Sequence, residues 1–241
     1  MRVKCSLACS YYSDRTLHKP AWSKIASRAE EVPSLFLVVI EAVLCVVASA
    51  AAEPWLIVLR PQAGAITAST TRKDLVSRYG SVNVRDQDVG VGEGETEPGT
   101  VLFPRDPRRT IEILWKDPST KISPKSLIVR GEASRWKMAH EISLGTSLID
   151  LEHINRKPFL LSGFGWDYSG TVTSWQNGEL DRDLEGYGRV ILRLDYSTAQ
   201  TSVTQPELDQ VMGDGIFPSS HSVRQRLNPR VYEIIWDLRQ K

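Results

Sequence analysis

Apolar positions along the chain recur with two periods, and the switch between them marks out the elements. Residues 55–61, WLIVLRP, form a continuous apolar run stopped by proline, the pattern of a short buried strand. In STTRKDLVSRYG the period changes. Leu75, Val76 and Tyr79 share one helical face, Thr71 with Asp74 makes a capping box, and Gly80 closes a helix over 71–79. RDQDVGVGEGETEPGT, 85–100, has no apolar period and reads as a loop. Strands are predicted over 101–103 and 110–116, joined as a hairpin, and over 126–131. A second helix spans 146–154, with Leu148, Leu151 and Ile154 on one face and Asn155 in the left-handed conformation that ends it. A strand over 171–176 runs into Asn177-Gly178, a hairpin turn signal. Another strand covers 188–196. Thr204 and Glu207 box a third helix with Pro206 in its first turn and Gly213 at its end, and a last strand covers 231–238. Short helices interspersed with hairpin-linked strands predict an α+β fold of helices packed on antiparallel sheet.

The N-terminal region changes that picture. LFLVVIEAVLCVVASAAA, 35–52, is apolar except for Glu41 and ends in small residues, while Lys24 and Arg28 lie upstream. Ala50-Ala51-Ala52 fits the cleavage pattern of an export signal and would leave Glu53 as the mature N-terminus. Length and the acids Glu30, Glu31 and Glu41 fit a signal less well, and an uncleaved anchor is the alternative. The expected location is therefore periplasmic or secreted, with membrane contact only through this segment if it is retained. All three cysteines (Cys5, Cys9, Cys45) fall within 1–52. The exported chain needs no disulfide and must rely on its core. Composition is that of a globular protein, 41% hydrophobic and 24% charged, and a formal net charge of +1 gives no field directed at nucleic acid.

The remainder divides into two candidate units, 53–131 and 132–241. Each has a short helix followed at a nearly equal interval by a strand: Thr70 to Ile113 in the first, Ser147 to Ile191 in the second. IEILWKD at 111–117 echoes YEIIWDL at 232–238. ISLGTSLIDLEHINRKPF, 142–159, with its I-x-x-G-T before a helix and a proline after it, resembles the small repeat of the β-lactamase-inhibitor-protein and BamE-like superfamily. ITASTTRKDLVSRYG, 66–80, is similar to a degraded copy of it. The mature chain also resembles a group of uncharacterised bacterial exported proteins that carry a GFGWDYGG-type stretch, with Ser169 here in place of one glycine. The superfamily resemblance implies helices packed on an antiparallel sheet and work by protein contact in the envelope. It carries over no binding residues.

His140, His153 and His221 lack metal-ligand spacing, and no G-x-S-x-G elbow or phosphate loop occurs; no metal, cofactor or catalytic set is implied. The acids Asp86, Asp88, Glu93, Glu95 and Glu97 miss the spacing of a Ca²⁺ loop and read as solvated. The candidate site is PFLLSGFGWDYSG, 158–170. On a strand Phe164, Trp166 and Tyr168 would share one face, Asp167 would take the other, and Trp175 on the next strand would join the aromatics. Three readings stand: a packed core, a partner or glycan platform, and a carboxylate site for glycan hydrolysis using Asp167 with Glu179 or Asp181. The expectation is a non-catalytic envelope protein that contacts another protein, with a glycan-binding or glycan-hydrolysing module as the alternative. If Trp166 and Trp175 are both buried, the glycan reading loses its platform; if both line a groove with two carboxylates, the hydrolytic reading gains.

Overall fold

The computed structural model describes residues 66–183, 189–196 and 203–238. The expected export signal and the strand expected over 55–61 lie outside the described residues. The fold is α+β: a six-stranded antiparallel sheet, a three-stranded antiparallel sheet and short helices.

Helix α1 (Arg72–Tyr79) forms where the sequence placed it. Thr71 Oγ1 accepts from the Asp74 amide (3.1 Å), Asp74 accepts back from the Thr71 amide (2.8 Å), and Gly80 ends the helix. Strands β1 (Val84–Gly92) and β2 (Glu95–Leu102) follow as a long hairpin, where the acid- and glycine-rich pattern predicts a loop. The pattern misleads because β1 is an edge strand, wet along most of its length: between Val84 and Val89 all four residues are exposed. Charges on such an edge discourage pairing with other chains, so periodicity is lost although the backbone ladder is complete. The hairpin acids take cations: Asp86 pairs with Arg72 and Lys121 (2.9 Å each) and Glu97 with Lys125 (3.0 Å).

Strands β3 (Ile111–Asp117) and β4 (Ile122–Arg130) form the next hairpin. Helix α2 (Leu148–Asn155) is capped by Ser147 and Asp150. Arg156, not Asn155, takes the left-handed position. Strands β5 (Leu160–Ser162) and β6 (Val172–Ser174) belong to the small sheet. The Asn177-Gly178 pair does not turn a hairpin. Gln176 and Asn177 are the left-handed residues, and the chain enters helix α3 (Glu179–Asp183). Strand β7 (Arg189–Asp195), helix α4 (Gln205–Leu208), strand β8 (Ile216–Pro218), helix α5 (Ser222–Leu227) and strand β9 (Arg230–Asp237) complete the order. The large sheet runs β1-β2-β3-β4-β9-β7 and the small one β6-β5-β8. Both segments divided at residue 131 contribute to the large sheet, because β4 pairs with β9.

One face of the large sheet carries the main core. Thr100, Ile113, Leu127 and Trp236 lie in one register row across four strands. Leu75 of α1 and Leu148 and Leu151 of α2 join the same cluster, so the two capped helices cover this face. Fully burying side chains of this kind contributes about 1.5–3 kcal/mol each. The other face holds Val89, Leu114 and Ile128 and a row of charges.

Asn155 is the polar pivot of the core edge and is fully buried. Its Nδ2 donates to the Lys157 and Trp175 carbonyls (2.9 and 3.0 Å), and its Oδ1 accepts from the Leu180 amide (3.1 Å). Those bonds start α3 where the hairpin was expected. Asn155→Leu leaves three backbone groups without this partner, and chemical denaturation should show a loss of about 3 kcal/mol. Unchanged stability would mean that these groups find other partners.

Two carboxylates with large downward pKa shifts, Asp117 and Glu207, contribute to the acid limb of the stability profile. Asp117 accepts from the Ser119 hydroxyl and amide, and Glu207 accepts from Arg226 and Thr204; each pKa is lowered to about 2. Both lie below their unfolded values near 4. Their contribution is complete above those unfolded values and is lost as pH falls through about 2. The melting temperature should drop across that window, and Asp117→Asn with Glu207→Gln should flatten the drop. An equal slope in the double variant would remove these groups as its cause.

Candidate functional site

The stretch 158–170 is not one strand. β5 ends at Ser162, and the chain then turns through Gly165 (φ 85°) and Gly170 (φ 63°), left-handed positions that suit glycine. Polar bonds tie the loop to itself. Ser162 Oγ donates to the Tyr168 carbonyl (2.9 Å) and accepts from the Thr171 amide (3.0 Å). Thr171 Oγ1 donates to the same Tyr168 carbonyl (2.8 Å), and the Trp166 indole N–H donates to the Gly163 carbonyl (3.1 Å).

The four aromatic rings therefore part company. Phe164 is buried in a second cluster with Val211 and Val223, its ring edge-on to Tyr196 at 4.9 Å. Trp166 is 39% exposed and meets Tyr168 edge-to-face at 5.5 Å. Tyr168 is half-buried and Asp167 exposed. Trp175 is only 7% exposed and packs on Phe159 in the main core, at 5.0 Å. The shared aromatic face expected from strand alternation is not formed, because the glycines break the strand that alternation presupposes.

Tyr168 is fixed from two sides. The Arg193 guanidinium lies 5.1 Å from its ring centre, and Gly92, at the tip of the β1–β2 hairpin, leaves room for the ring: a Cβ there would lie 3.1 Å from it. Arg193 ends a charge row on the second face of the sheet. Arg130 Nη1 meets Glu112 and its Nε meets Glu233, both at 2.5 Å, and Arg193 Nη1 lies 2.8 Å from Glu233 Oε2. This last contact is an ion pair by distance whose N–H is not aimed for a hydrogen bond. Arg130 Nη2 also donates to the Gly90 carbonyl (2.9 Å), so the hairpin reaches past β3 to β4. Burial raises the Glu112 pKa, against the pull of Arg130.

No local sequence pattern marks Arg224. It has no exposed surface, lies 4.8 and 5.2 Å from the Phe164 and Phe217 ring centres, and donates through Nη2 to the Ser162 carbonyl (2.8 Å). Its Nε and Nη1 make no hydrogen bond, and burial brings its pKa down to about 10. It pins the strand that leads into the loop. Nothing in its neighbourhood in sequence, SVRQRL, distinguishes it from Arg226, which sits exposed on the same helix and pairs with Glu207.

Among the described residues no group of three or more His, Cys, Asp or Glu side chains is placed to hold a metal ion, and no helix is long and apolar enough to cross a membrane. Compared with known proteins, the chain matches no family model, no curated protein and no solved structure.

Proposed function

We propose that this chain is an exported, non-catalytic binding protein of the bacterial envelope that contacts another protein through Trp166 and Tyr168. The observation that carries the reading is an exposed indole held edge-on to a tyrosine whose own position is set by Arg193 and the hairpin tip. Tryptophan, tyrosine and arginine are the residue types that dominate binding hot spots, and rings fixed before contact lose little entropy on binding. Export rests on the apolar run and the small residues before Glu53. Of the aromatics on which the glycan alternative rests, Trp166 is exposed and Trp175 lies in the core.

The test is a photo-crosslinking residue at position 167 of the chain made in its own cell. One discrete protein adduct is expected, weakened by Trp166→Ala by about 2 kcal/mol, roughly thirtyfold in affinity. The mature chain should begin at Glu53 in the exported fraction. The same adduct from a crosslinker at the exposed Val82, or none from 167, would sink the contact surface; retention in the cytoplasm would sink the export.

A further inference from the structure

At one end of the large sheet, where β4 and β7 finish and β9 begins, lies a cleft of about 770 Å³. That volume suits a small ligand. Its aliphatic lining is Leu144, Leu227 and Val231, and Tyr196 and Tyr232 stand against it. Two acids and two arginines, Glu132, Asp195, Arg130 and Arg230, supply its charged groups, and Asn228 adds an amide.

We infer that this cleft binds a neutral saccharide of one to three rings, with Tyr196 and Tyr232 against the sugar and Arg230 and Asp195 bonding its hydroxyls. The ligand class follows from the lining. An anion meets Glu132 and Asp195, a cation meets the arginines, and an apolar ligand would strip water from all four without replacing its bonds. A hydroxyl both donates and accepts, so a polyhydroxylated ring satisfies both kinds of group. The arginines are, moreover, already engaged: Arg130 by Glu112 and Glu233, and Arg230 by the Gly145 carbonyl (2.8 Å). Arg130's charge is matched by two carboxylates, whereas Arg230, held by a neutral carbonyl, keeps its charge beside Asp195, its register partner on β7; the two arginines and two acids of the lining cancel, which favours a neutral ligand over one of single net charge. Tyrosine suits the remaining contact, with an apolar ring face and a polar tip.

The 158–170 stretch touches Tyr196 directly and reaches Tyr232 only through Arg193 of β7. Phe164 packs edge-on to Tyr196. Arg193, beneath Tyr168, also interacts with the Tyr232 phenol, whose pKa is raised by burial and by Glu233. Supported rings of this kind keep a binding wall in place before the ligand arrives. The glycine-rich stretch thus presents Trp166 outward and steadies the cleft inward. The cleft site does not depend on the protein-contact reading.

The test uses the full chain on an array of neutral and charged glycans and zwitterionic dipeptides, followed by calorimetric titration at millimolar ligand. Retention of neutral sugars is expected, with affinity reduced roughly tenfold by Tyr232→Ala and by Arg230→Gln, and unchanged by Trp166→Ala. Arg230 is exposed, so its variant remains informative if Tyr232→Ala fails to fold by near-UV circular dichroism. An array with no retained neutral sugar, preference for the dipeptides, or loss on Trp166→Ala in place of Arg230→Gln would overturn the assignment.

Discussion

Glu233→Ala is expected to destabilise the protein by about 3–5 kcal/mol, the cost of removing one partner from a buried charge group. Glu233 is 2% exposed and lies between two arginines, Arg130 at 2.5 Å and Arg193 at 2.8 Å. Removing its carboxylate leaves Arg193, with a side chain only 13% exposed, facing Arg130 with no acid between them. Glu112 still holds Arg130, which keeps the loss toward the lower end of the range. Both charges can turn toward water only by releasing what they support: Arg130 the Gly90 carbonyl of the hairpin, Arg193 the Tyr168 ring. Chemical denaturation measures the loss, and near-UV circular dichroism of the Trp166–Tyr168 pair reports the release. A double-mutant cycle with Arg193→Met separates the pair energy from the cost of stranding a charge. If Glu233→Ala costs under about 1 kcal/mol, the group behaves as a surface ion pair and the brace on Tyr168 lies elsewhere.

This charge row explains the echo between IEILWKD and YEIIWDL. β3 and β9 flank β4 on its two sides, and the glutamate of each segment reaches the same Arg130. Like positions beside one central strand call for a like pattern, an acid toward Arg130 followed by mostly buried residues, although the residue before the acid differs: Ile111 is buried and Tyr232 exposed. The sequence similarity is therefore accounted for by position in a single sheet.

What was legible from sequence is the chemistry that closes within a few residues. The capping boxes at Thr71/Asp74 and Thr204/Glu207 form as expected, because donor and acceptor lie three residues apart. The buried face of α2 was readable from Leu148 and Leu151. Strands with one continuous apolar face, β3 and β9, were found to within a residue or so. Elements specified by distant partners were not legible. β1 depends on pairing with β2 and shows almost no apolar pattern of its own. The turn at Gly178 is decided by Asn155, more than twenty residues earlier, whose carbonyl oxygen receives the Leu180 amide and starts α3. Within the candidate stretch, exposure of Trp166 and burial of Trp175 follow from which cluster each ring reaches, and that depends on where the backbone stops being a strand. Arg224 and the tyrosine-lined cleft come from segments that no local spacing connects.

Gly170→Ala tests the point where the stretch joins the large sheet, and it should cost about 4 kcal/mol or more. Gly170 has φ 63°, and a Cβ there would be driven into the Leu194 carbonyl oxygen of β7. The left-handed conformation alone accounts for about 1 kcal/mol with alanine. The rest comes from moving backbone against backbone, since neither side has a rotatable group that gives way. Gly170 cannot simply withdraw: its carbonyl accepts from the Leu194 amide (3.0 Å), and its amide donates to the Gly163 carbonyl (3.2 Å). Gly145→Ala supplies the control, because Gly145 also has positive φ (88°) but nothing stands within 4 Å of its Cβ direction, so only the conformational cost remains. The expected order in denaturation is thus Gly170→Ala far below Gly145→Ala. Equal losses would mean that the close approach to β7 is not maintained in solution. The loop would then lose its anchor on β7 and keep its internal bonds at Ser162 and Thr171 and its backbone bonds to the 211–215 segment, and Trp166 would present a less fixed contact.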